Sequence, residues 1–335
     1  MDIRPYQLLC LVCRQGRRRE TEPYYHESRL NEIQAVVKAD PIFPLTVRCH
    51  TDTVFRYQNP GREYDTPEGN MYNDLRDLTV LQRIGAVPGS TLPAIDFFGR
   101  IFETIPTNRG VCWYPDAEAP GWPRCRLANS GNYEHGVALG IGAIIPGRSP
   151  DEMEAVKKES ARACGLAPRL KIRPHHLLCM TCFHAGRSEK TLAPIQEDNL
   201  FECIEAMQRN PDVLVELIHG PCMVCPPCRS YHAASNLCIG GASMGLRDDK
   251  KDLDTLRRLG LRYGDVMPAR ELLQRVYRMI ASTTEICGHG DGVERSRDWR
   301  ICGGPTGNAA YARGRRAGLG VSGVSVPSEQ DEHGV

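Results

Sequence analysis

The sequence reads Lys171-Ile172-Arg173-Pro174-His175-His176-Leu177-Leu178-Cys179-Met180-Thr181-Cys182 just past its midpoint, and a near copy opens the chain as Asp2-Ile3-Arg4-Pro5-Tyr6-Gln7-Leu8-Leu9-Cys10-Leu11-Val12-Cys13. Each copy combines an Arg-Pro that favours extended backbone, a Leu-Leu pair for a core, and a Cys-x-x-Cys. Two sulfurs at that spacing can share one metal ion or one iron–sulfur cluster. The pattern predicts a tandem duplication that carries metal chemistry.

The middle of each half repeats without a gap, which is typical of an internal duplication. The shared positions are Asp77, Leu81, Arg83, Gly85, Gly89 and Pro93, which recur as Asp252, Leu256, Arg258, Gly260, Gly264 and Pro268. They predict a helix that ends at glycine, a short loop, and a second helix that begins near the proline. Helical spacing also predicts a helix over 27–39. A strand over 44–50 is equated with 213–219, so that His50 and His219 coincide.

These elements predict an α+β protein of two homologous tandem units. The units are expected to have a pseudo-twofold arrangement, to be helix-rich with a small strand component and cysteine-bearing loops, and to pack on each other. The predicted boundaries are 1–146 for a diverged first repeat, 147–168 for a linker with a helix over 150–163, 169–320 for the second repeat, and 321–335 for a mobile tail. The Gly-rich segments 131–136 and 307–314 are predicted as loops.

Composition limits the classes of function. The 335 residues hold 42 basic against 41 acidic side chains, a balance that gives no field for nucleic acid. No leader sequence and no run of roughly 20 apolar residues is visible, so no membrane association is expected. The prediction is a cytoplasmic protein, where 15 cysteines are expected to serve as thiols and metal ligands.

Most of the cysteines fall into three groups of four when they are sorted by the repeat. The groups are Cys10, Cys13, Cys112 and Cys125 in the first half; Cys179, Cys182, Cys287 and Cys302 in the second half; and Cys222, Cys225, Cys228 and Cys238 in the second half only. Four ligands suit a tetrahedral zinc or a fully ligated cluster. Of the remaining cysteines, Cys203 lies among apolar residues of a helix and is expected to be a buried small hydrophobe.

The sharpest signal is the run Cys222-Met223-Val224-Cys225-Pro226-Pro227-Cys228. Three thiolates at this spacing can surround one cluster, and the prolines stiffen the loop. The fourth ligand is expected to be Cys179 or Cys238. Structural zinc is the alternative, although its usual form is two separate Cys-x-x-Cys pairs. Counted from the shared histidine, the first half has Thr53, Arg56 and Asn59 at the positions of these cysteines.

His175 and His176 precede Cys179 and are candidate metal ligands or proton donors. Their counterparts in the first half are Tyr6 and Gln7, so such a role would belong to the second half alone. The structural alternative is a pair of partly exposed rings at the end of a strand. No dinucleotide-binding glycine motif, phosphate loop or serine nucleophile elbow occurs in the sequence, which leaves those enzyme classes without support.

The run from Arg173 to Cys179, the Cys-x-x-Cys-Pro at 222–226 and the later Cys287, Trp299 and Cys302 resemble the bacterial and archaeal family called domain of unknown function 1284. Members are small single-domain proteins suspected of binding iron–sulfur clusters. This chain departs from the pattern in Tyr6-Gln7 and in a longer interval from Cys287 to Cys302. The expectation is an iron–sulfur protein, with one or more 4Fe-4S clusters, that exchanges electrons with a redox partner protein or performs cluster-based sulfur chemistry. The alternative is a zinc-stabilised, non-catalytic binding or scaffold module.

Overall fold

The structure is a computed structural model that describes residues 1–17, 23–114, 122, 124–185, 198–240, 242–288, 295–300 and 307–324. The chain divides into two compact units, unit 1 over Met1–Gly147 and unit 2 over Arg148–Val335. Each unit has its own apolar core. Both units combine helices with small sheets, which confirms the α+β class. Within the described residues, no helix has both the length and the apolar composition to span a bilayer.

Unit 1 begins with a two-residue strand and a helix that carries the first Cys-x-x-Cys. Its helices are α1 (Pro5–Gln15), α2 (Glu27–Ala39), α3 (Asn70–Ile84), α4 (Ala94–Thr104) and α5 (Asn132–Leu139), and its strands are β1 (Asp2–Ile3), β2 (Pro44–Val47) and β3 (Thr91–Pro93). The α2 bounds match the predicted 27–39. The end of α3 at a left-handed Gly85 and the start of α4 after Pro93 also confirm the sequence patterns.

Unit 2 has elements in the same order and adds a hairpin and two helices, one at its start and a short one before its last helix. Its helices are α6 (Pro150–Leu166), α7 (Pro174–Ala185), α8 (Leu200–Arg209), α9 (Leu246–Leu259), α10 (Ala269–Met279), α11 (Thr284–Cys287) and α12 (Gly307–Ala317). Its strands are β4 (Arg169–Ile172), β5 (Leu214–Leu217), β6 (Tyr231–His232), β7 (Leu237–Cys238) and β8 (Val266–Pro268). The hairpin β6–β7 follows the loop of the three closely spaced cysteines.

The main sheets of the two units have the same topology. In unit 1, β2 pairs in parallel with β1 and antiparallel with β3. In unit 2, β5 pairs in parallel with β4 and antiparallel with β8. The central strand of each sheet buries alternate residues, Leu45 and Val47 in one and Val215 and Leu217 in the other, as expected for a strand with one face on a core.

The backbone hydrogen bonds of these sheets correct the alignment of the two halves by one residue. The Val47 amide donates to the Ser90 carbonyl, and the Val47 carbonyl accepts from the Gly89 amide. Leu217 makes the same two bonds, with Asp265 and Gly264. Val47 is therefore equivalent to Leu217. The prediction that His50 and His219 coincide is wrong, because the strand register offsets the two histidines by one residue.

The corrected alignment changes which residues of unit 1 correspond to the cysteine loop. Counted from the equivalent strand residues, His219 corresponds to Cys49. Cys222, Cys225 and Cys228 correspond to Asp52, Phe55 and Gln58 instead of Thr53, Arg56 and Asn59. Unit 1 has no thiol at these three described positions in either alignment.

Two segments predicted as loops form helices, and their glycines explain the error. Residues 131–136 and 307–314 fall largely in α5 and α12. A Cβ on Gly136 would lie 2.0 Å from the carbonyl oxygen of Val12 in α1, and a Cβ on Gly314 would lie 2.0 Å from that of Thr181 in α7. These glycines therefore allow close contact between two helices, a role that a single sequence does not distinguish from a turn.

A buried ion pair joins the start of α1 to α3 in unit 1, and the start of α7 to α9 in unit 2. Nε of Arg4 donates to Oδ2 of Asp77 over 2.5 Å, and Nε of Arg173 donates to Oδ2 of Asp252 over 2.7 Å. Oδ1 of each aspartate accepts the amide at the start of the helix, from Tyr6 in unit 1 and from His175 in unit 2, over 2.9 Å in both. This contact fixes the helix that carries the Cys-x-x-Cys.

The predicted linker and tail are partly packed into unit 2. Helix α6 covers most of 147–168 and contacts α8, where Nζ of Lys157 lies 2.6 Å from Oε1 of Glu202 and Sγ of Cys203 lies 3.8 Å from Sγ of Cys164. Cys203 is fully buried, as predicted. Val321 belongs to the core of unit 2, although the prediction places it in the tail. Residues 325–335 lie outside the described residues.

Candidate metal centre

The loop after β5 consists of successive turns that bring its cysteines together. The Cys225 amide donates to the Cys222 carbonyl, and the Cys228 amide donates to the Cys225 carbonyl, each over 2.9 Å. The Tyr231 amide then donates to the Cys228 carbonyl over 3.0 Å, which joins the loop to hairpin β6–β7. Within that hairpin Cys238 pairs with Tyr231. Cys225, Cys228 and Cys238 thereby line one cavity of about 90 Å³.

His176 approaches this loop from the first turn of α7. Its Nδ1 lies 3.1 Å from Sγ of Cys222, which lies 4.0 Å from Sγ of Cys225. The ligand atoms of these three residues all lie within 4.8 Å of one another, so this group can hold a metal ion. His176 also lines the cavity with Cys228 and Cys238. The site therefore offers one imidazole and four thiols.

Backbone amides and a buried arginine supply positive charge around the sulfurs. The Cys222 amide donates to Sγ of Cys225 over 3.3 Å, and the Ser230 amide donates to Sγ of Cys228 over 3.4 Å. Arg173 lines the cavity with its side chain buried. Burial acts to raise the pKa of Cys222, but the hydrogen bond from Cys225, backbone hydrogen bonds and the Arg173 charge outweigh it and lower the pKa of this thiol. Among Cys222, Cys225, Cys228 and Cys238, Cys222 is thus the sulfur best prepared to act as a thiolate.

His175 lies beside the site but faces away from the cysteine group. It is buried at the start of helix α7, not partly exposed at a strand end. Its Nδ1 lies 2.7 Å from Oδ1 of Asp252, and its ring contacts the His176 ring edge-on with centroids 4.5 Å apart. Burial and the charge of His176 lower the pKa of His175 to about 4, despite Asp252. A ring that is neutral at pH 7 orients its neighbour better than it donates a proton.

The two candidates for the fourth thiolate have different surroundings. Cys238 lines the cavity, whereas Cys179 is not among the described residues that do. Cys179 and Cys182 lie on α7 and are half-buried against the core of unit 2. Cys287 ends α11 and lines a separate cavity of about 360 Å³ with Arg247, Lys250 and Trp299. Cys302, the remaining member of that predicted group, lies outside the described residues.

In unit 1 the four cysteines of the predicted group converge. Cys10 and Cys13 project from α1, and together with Cys112 and Cys125 they line one cavity of about 30 Å³. Tyr24 donates its hydroxyl to Sγ of Cys13 over 3.2 Å. Burial raises the pKa of Cys13 to about 11 and that of Cys112 to about 12, which favours the thiol form of both side chains at neutral pH.

Sequence patterns missed several residues of both sites. The sequence motif gives Arg173 a backbone role before a proline and does not predict its charge beside the cysteine loop. Asp198 and Asp248 also line the loop cavity, and Arg76 lines the cavity of unit 1. A signal did exist, because a basic residue precedes the repeated aspartate in both halves, Arg76 before Asp77 and Lys251 before Asp252.

Comparison with protein-family models, curated proteins and solved structures gave no match to this chain. The resemblance to the domain of unknown function 1284 family therefore stays a prediction. The function has to be inferred from the chemistry of the two sites.

Proposed function

We propose that the chain is an iron–sulfur protein with a cluster in unit 2, held by Cys222, Cys225, Cys228 and Cys238. The observation that carries the proposal is a cavity lined by three thiols and one imidazole, together with the close approach of the Cys222 thiol to His176 and Cys225. A tetrahedral ion takes four ligands, so five donors exceed what one zinc needs. A 4Fe-4S cluster takes four thiolates, which leaves His176 free to hydrogen-bond to a sulfur.

Electron transfer is the role that this ligand set supports. A cluster with four thiolates has no open coordination position, so it supplies redox chemistry without binding a substrate. The reduction potential of the cluster would be raised by hydrogen bonds to its sulfurs from His176 and from backbone amides. The positive charge of Arg173 would raise it further. Cys225, Cys228 and Cys238 are only partly buried. That position near the surface suits exchange with a redox partner protein.

We also infer that the two units arose by tandem duplication of one cluster-binding ancestor, as the family resemblance implies. Supporting contacts occur at equivalent positions of both units. Besides the Arg–Asp pairs, Tyr133 donates its hydroxyl to the Ile105 carbonyl and Tyr311 to the Ile280 carbonyl, over 2.8 Å in each case. The same packing glycines and the same sheet register add to this support.

Zinc is the second candidate, and one distance favours it. A tetrahedral ion with Zn–S bonds of about 2.3 Å places two thiolates about 3.8 Å apart. The 4.0 Å between Sγ of Cys222 and Sγ of Cys225 is close to that value. In this case His176, Cys222 and Cys225 would be three of the four ligands, and the centre would stabilise the fold.

Analysis of the full chain after anaerobic purification tests the proposal. We expect iron and acid-labile sulfide in equal amounts, with a broad visible absorption band. The variant His176→Ala separates the two candidates, since it should keep the iron of a cluster with four thiolates but lose a zinc that it ligates. His219→Ala is a matched control, because its ring packs on Tyr263 and is not among the described residues that line the loop cavity. A colourless protein with stoichiometric zinc would contradict the iron–sulfur assignment.

A further inference from the structure

Arg76 lies on α3 at the cavity formed by the four cysteines of unit 1. Its side chain is 2% exposed. The guanidinium carbon lies 3.7 Å from the centre of the Tyr6 ring and 4.9 Å from that of Tyr72. One nitrogen donates to Oδ1 of Asn73 over 2.5 Å, while Nε is buried without a hydrogen-bond partner in the described structure. Arg76 is thus a buried cation whose hydrogen bonds go to the neutral amide of Asn73 and to the Cys112 thiol.

The carboxylate next to Arg76 in the chain is already engaged. Asp77 accepts from the Arg4 guanidinium with one oxygen and from the Tyr6 amide with the other. A guanidinium does not lose its proton in a protein, and a buried charge without an opposite charge is costly. The position of Arg76 therefore calls for negative charge in the cavity that it lines.

The equivalent position in unit 2 shows how such a cation is otherwise neutralised. Lys251 precedes Asp252 as Arg76 precedes Asp77, and it is also buried. Its Nζ lies 2.7 Å from Oδ1 of Asp248. Counted back from the aspartate, Asp248 corresponds to Asn73. Unit 1 therefore keeps the buried cation and has an amide in place of the carboxylate.

We propose that Cys10, Cys13, Cys112 and Cys125 bind a second iron–sulfur cluster as four thiolates, and that Arg76 balances its net negative charge. Four thiolates outweigh the positive charge of a cluster core, so the bound centre is an anion. The negative charge of the cluster supplies the counter-charge for Arg76 that the neutral amide of Asn73 does not. The Tyr24 hydroxyl adds a hydrogen-bond donor to Sγ of Cys13. The proposal concerns unit 1 alone and does not rest on the centre in unit 2.

The spacing of the sulfurs in unit 1 favours a cluster over a single ion. Among the described residues, the three ligand atoms found within 4.8 Å of one another are those of His176, Cys222 and Cys225. No three sulfurs of the four described cysteines in unit 1 meet this limit, whereas one tetrahedral zinc requires separations of about 3.8 Å. A cluster holds its thiolates outside a core of several atoms and sets them further apart.

Iron analysis in a background without the unit 2 ligands tests the second cluster. We expect the full chain with Cys222→Ser and Cys225→Ser to keep about half of the wild-type iron and sulfide, as one of two clusters. Adding Cys112→Ser should remove the remainder, whereas adding Cys49→Ser, a buried cysteine outside the cavity, should not. Circular dichroism confirms folding. Iron content that Cys112→Ser leaves unchanged, or zinc in place of iron, overturns the proposal.

The same variants distinguish failure of this proposal from failure of the function proposed for unit 2. If the protein with both Cys222→Ser and Cys225→Ser, and no other change, loses all of the iron found in the wild type, the cluster in unit 1 is refuted and that in unit 2 stands. If the iron is lost with Cys112→Ser alone, the cluster in unit 1 stands and that in unit 2 is refuted.

Asn73→Asp tests the role of Arg76 without removing any thiol. The new carboxylate would pair with Arg76, as Asp248 pairs with Lys251, and would compete with the anionic centre. Loss of one charge-assisted hydrogen bond changes a rate or equilibrium constant roughly tenfold. We therefore expect iron to pass to a chelator about ten times faster in the same background. Arg76→Lys should retain the cluster, and Arg76→Met should shift its potential to a more negative value. Release rates and potentials equal to those of the background protein would refute the role of Arg76.

Discussion

The segment after β2 in unit 1 and the segment after β5 in unit 2 leave equivalent strands and return to equivalent aspartates, Asp77 and Asp252, yet only the second carries the cysteine loop. Unit 1 instead exposes apolar side chains there, with Val54 80% and Tyr57 73% exposed. The sheet, the buried ion pair and the packing glycines are the same in both units. In unit 1 the frame therefore occurs without thiols at the positions of the loop cysteines, and packing and buried polar contacts supply its interactions.

The largest expected effect concerns the cysteine loop, which is the part in which the two units differ. Cys225→Ser should remove the proposed cluster of unit 2 entirely, because Cys225 belongs to the group with His176 and Cys222 and also lines the loop cavity. Cys49→Ser should leave metal content unchanged, since this buried cysteine is not among the described residues that line either candidate centre. Iron and sulfide analysis of both proteins measures the difference. Equal losses would mean that the two segments contribute to one site, which contradicts the comparison.

The next largest effect concerns the ion pair that the units share. Asp77→Asn and Asp252→Asn each leave a buried arginine without its main counter-charge, so each should destabilise its unit by about 4 kcal/mol. Chemical denaturation followed by circular dichroism gives the change in unfolding free energy. Asp254→Asn is the control, because Asp254 pairs with an exposed lysine. A large loss in one unit only would show that the frame is not shared.

A comparable loss should follow from filling the close contact between helices. Gly136→Ala and Gly314→Ala would each place a methyl group 2.0 Å from a helix carbonyl oxygen. The helices would have to separate, and we expect a loss of about 3 kcal/mol in each unit. Gly142→Ala provides the control, since a Cβ there has nothing within 4 Å. Thermal unfolding of the three variants tests this, and an unchanged midpoint in either unit would contradict the proposed packing role.

The smallest expected effect is a pH dependence restricted to unit 2. His175, with its pKa lowered from 6.5 to about 4, stays neutral when folded and binds a proton on unfolding. The unfolded state therefore binds more protons between pH 6.5 and 4, and stability falls as pH falls through that window, by at most about 3 kcal/mol. His175→Tyr, which introduces the residue found in unit 1, should remove this dependence. Measuring the unfolding free energy at pH 7 and pH 4.5 tests this prediction. An equal change between the two pH values in the wild type and in His175→Tyr would refute it.

Much of the frame could be read from single residues. Helical spacing gave the bounds of α2, repeated glycines and prolines gave the end of α3 and the starts of α4 and α10, and an apolar helix context identified Cys203 as buried. Local patterns succeed here because helix ends and apolar faces depend on the residues within one or two turns. Grouping the cysteines by the repeat also selected the four that share the cavity of unit 1.

The sequence by itself determined which residue types are present and in what order: two copies of one motif, a surplus of thiols, and a triple cysteine run in one copy only. The tertiary structure decided which of them meet. It brought Cys238 to the loop cavity, turned His175 toward Asp252 and His176 toward Cys222, set the strand register one residue away from the chemical match, and buried Arg76 beside four sulfurs. The physical reason is that ligand geometry, strand pairing and the burial of a charge depend on contacts between residues far apart in the chain, which local periodicity does not encode.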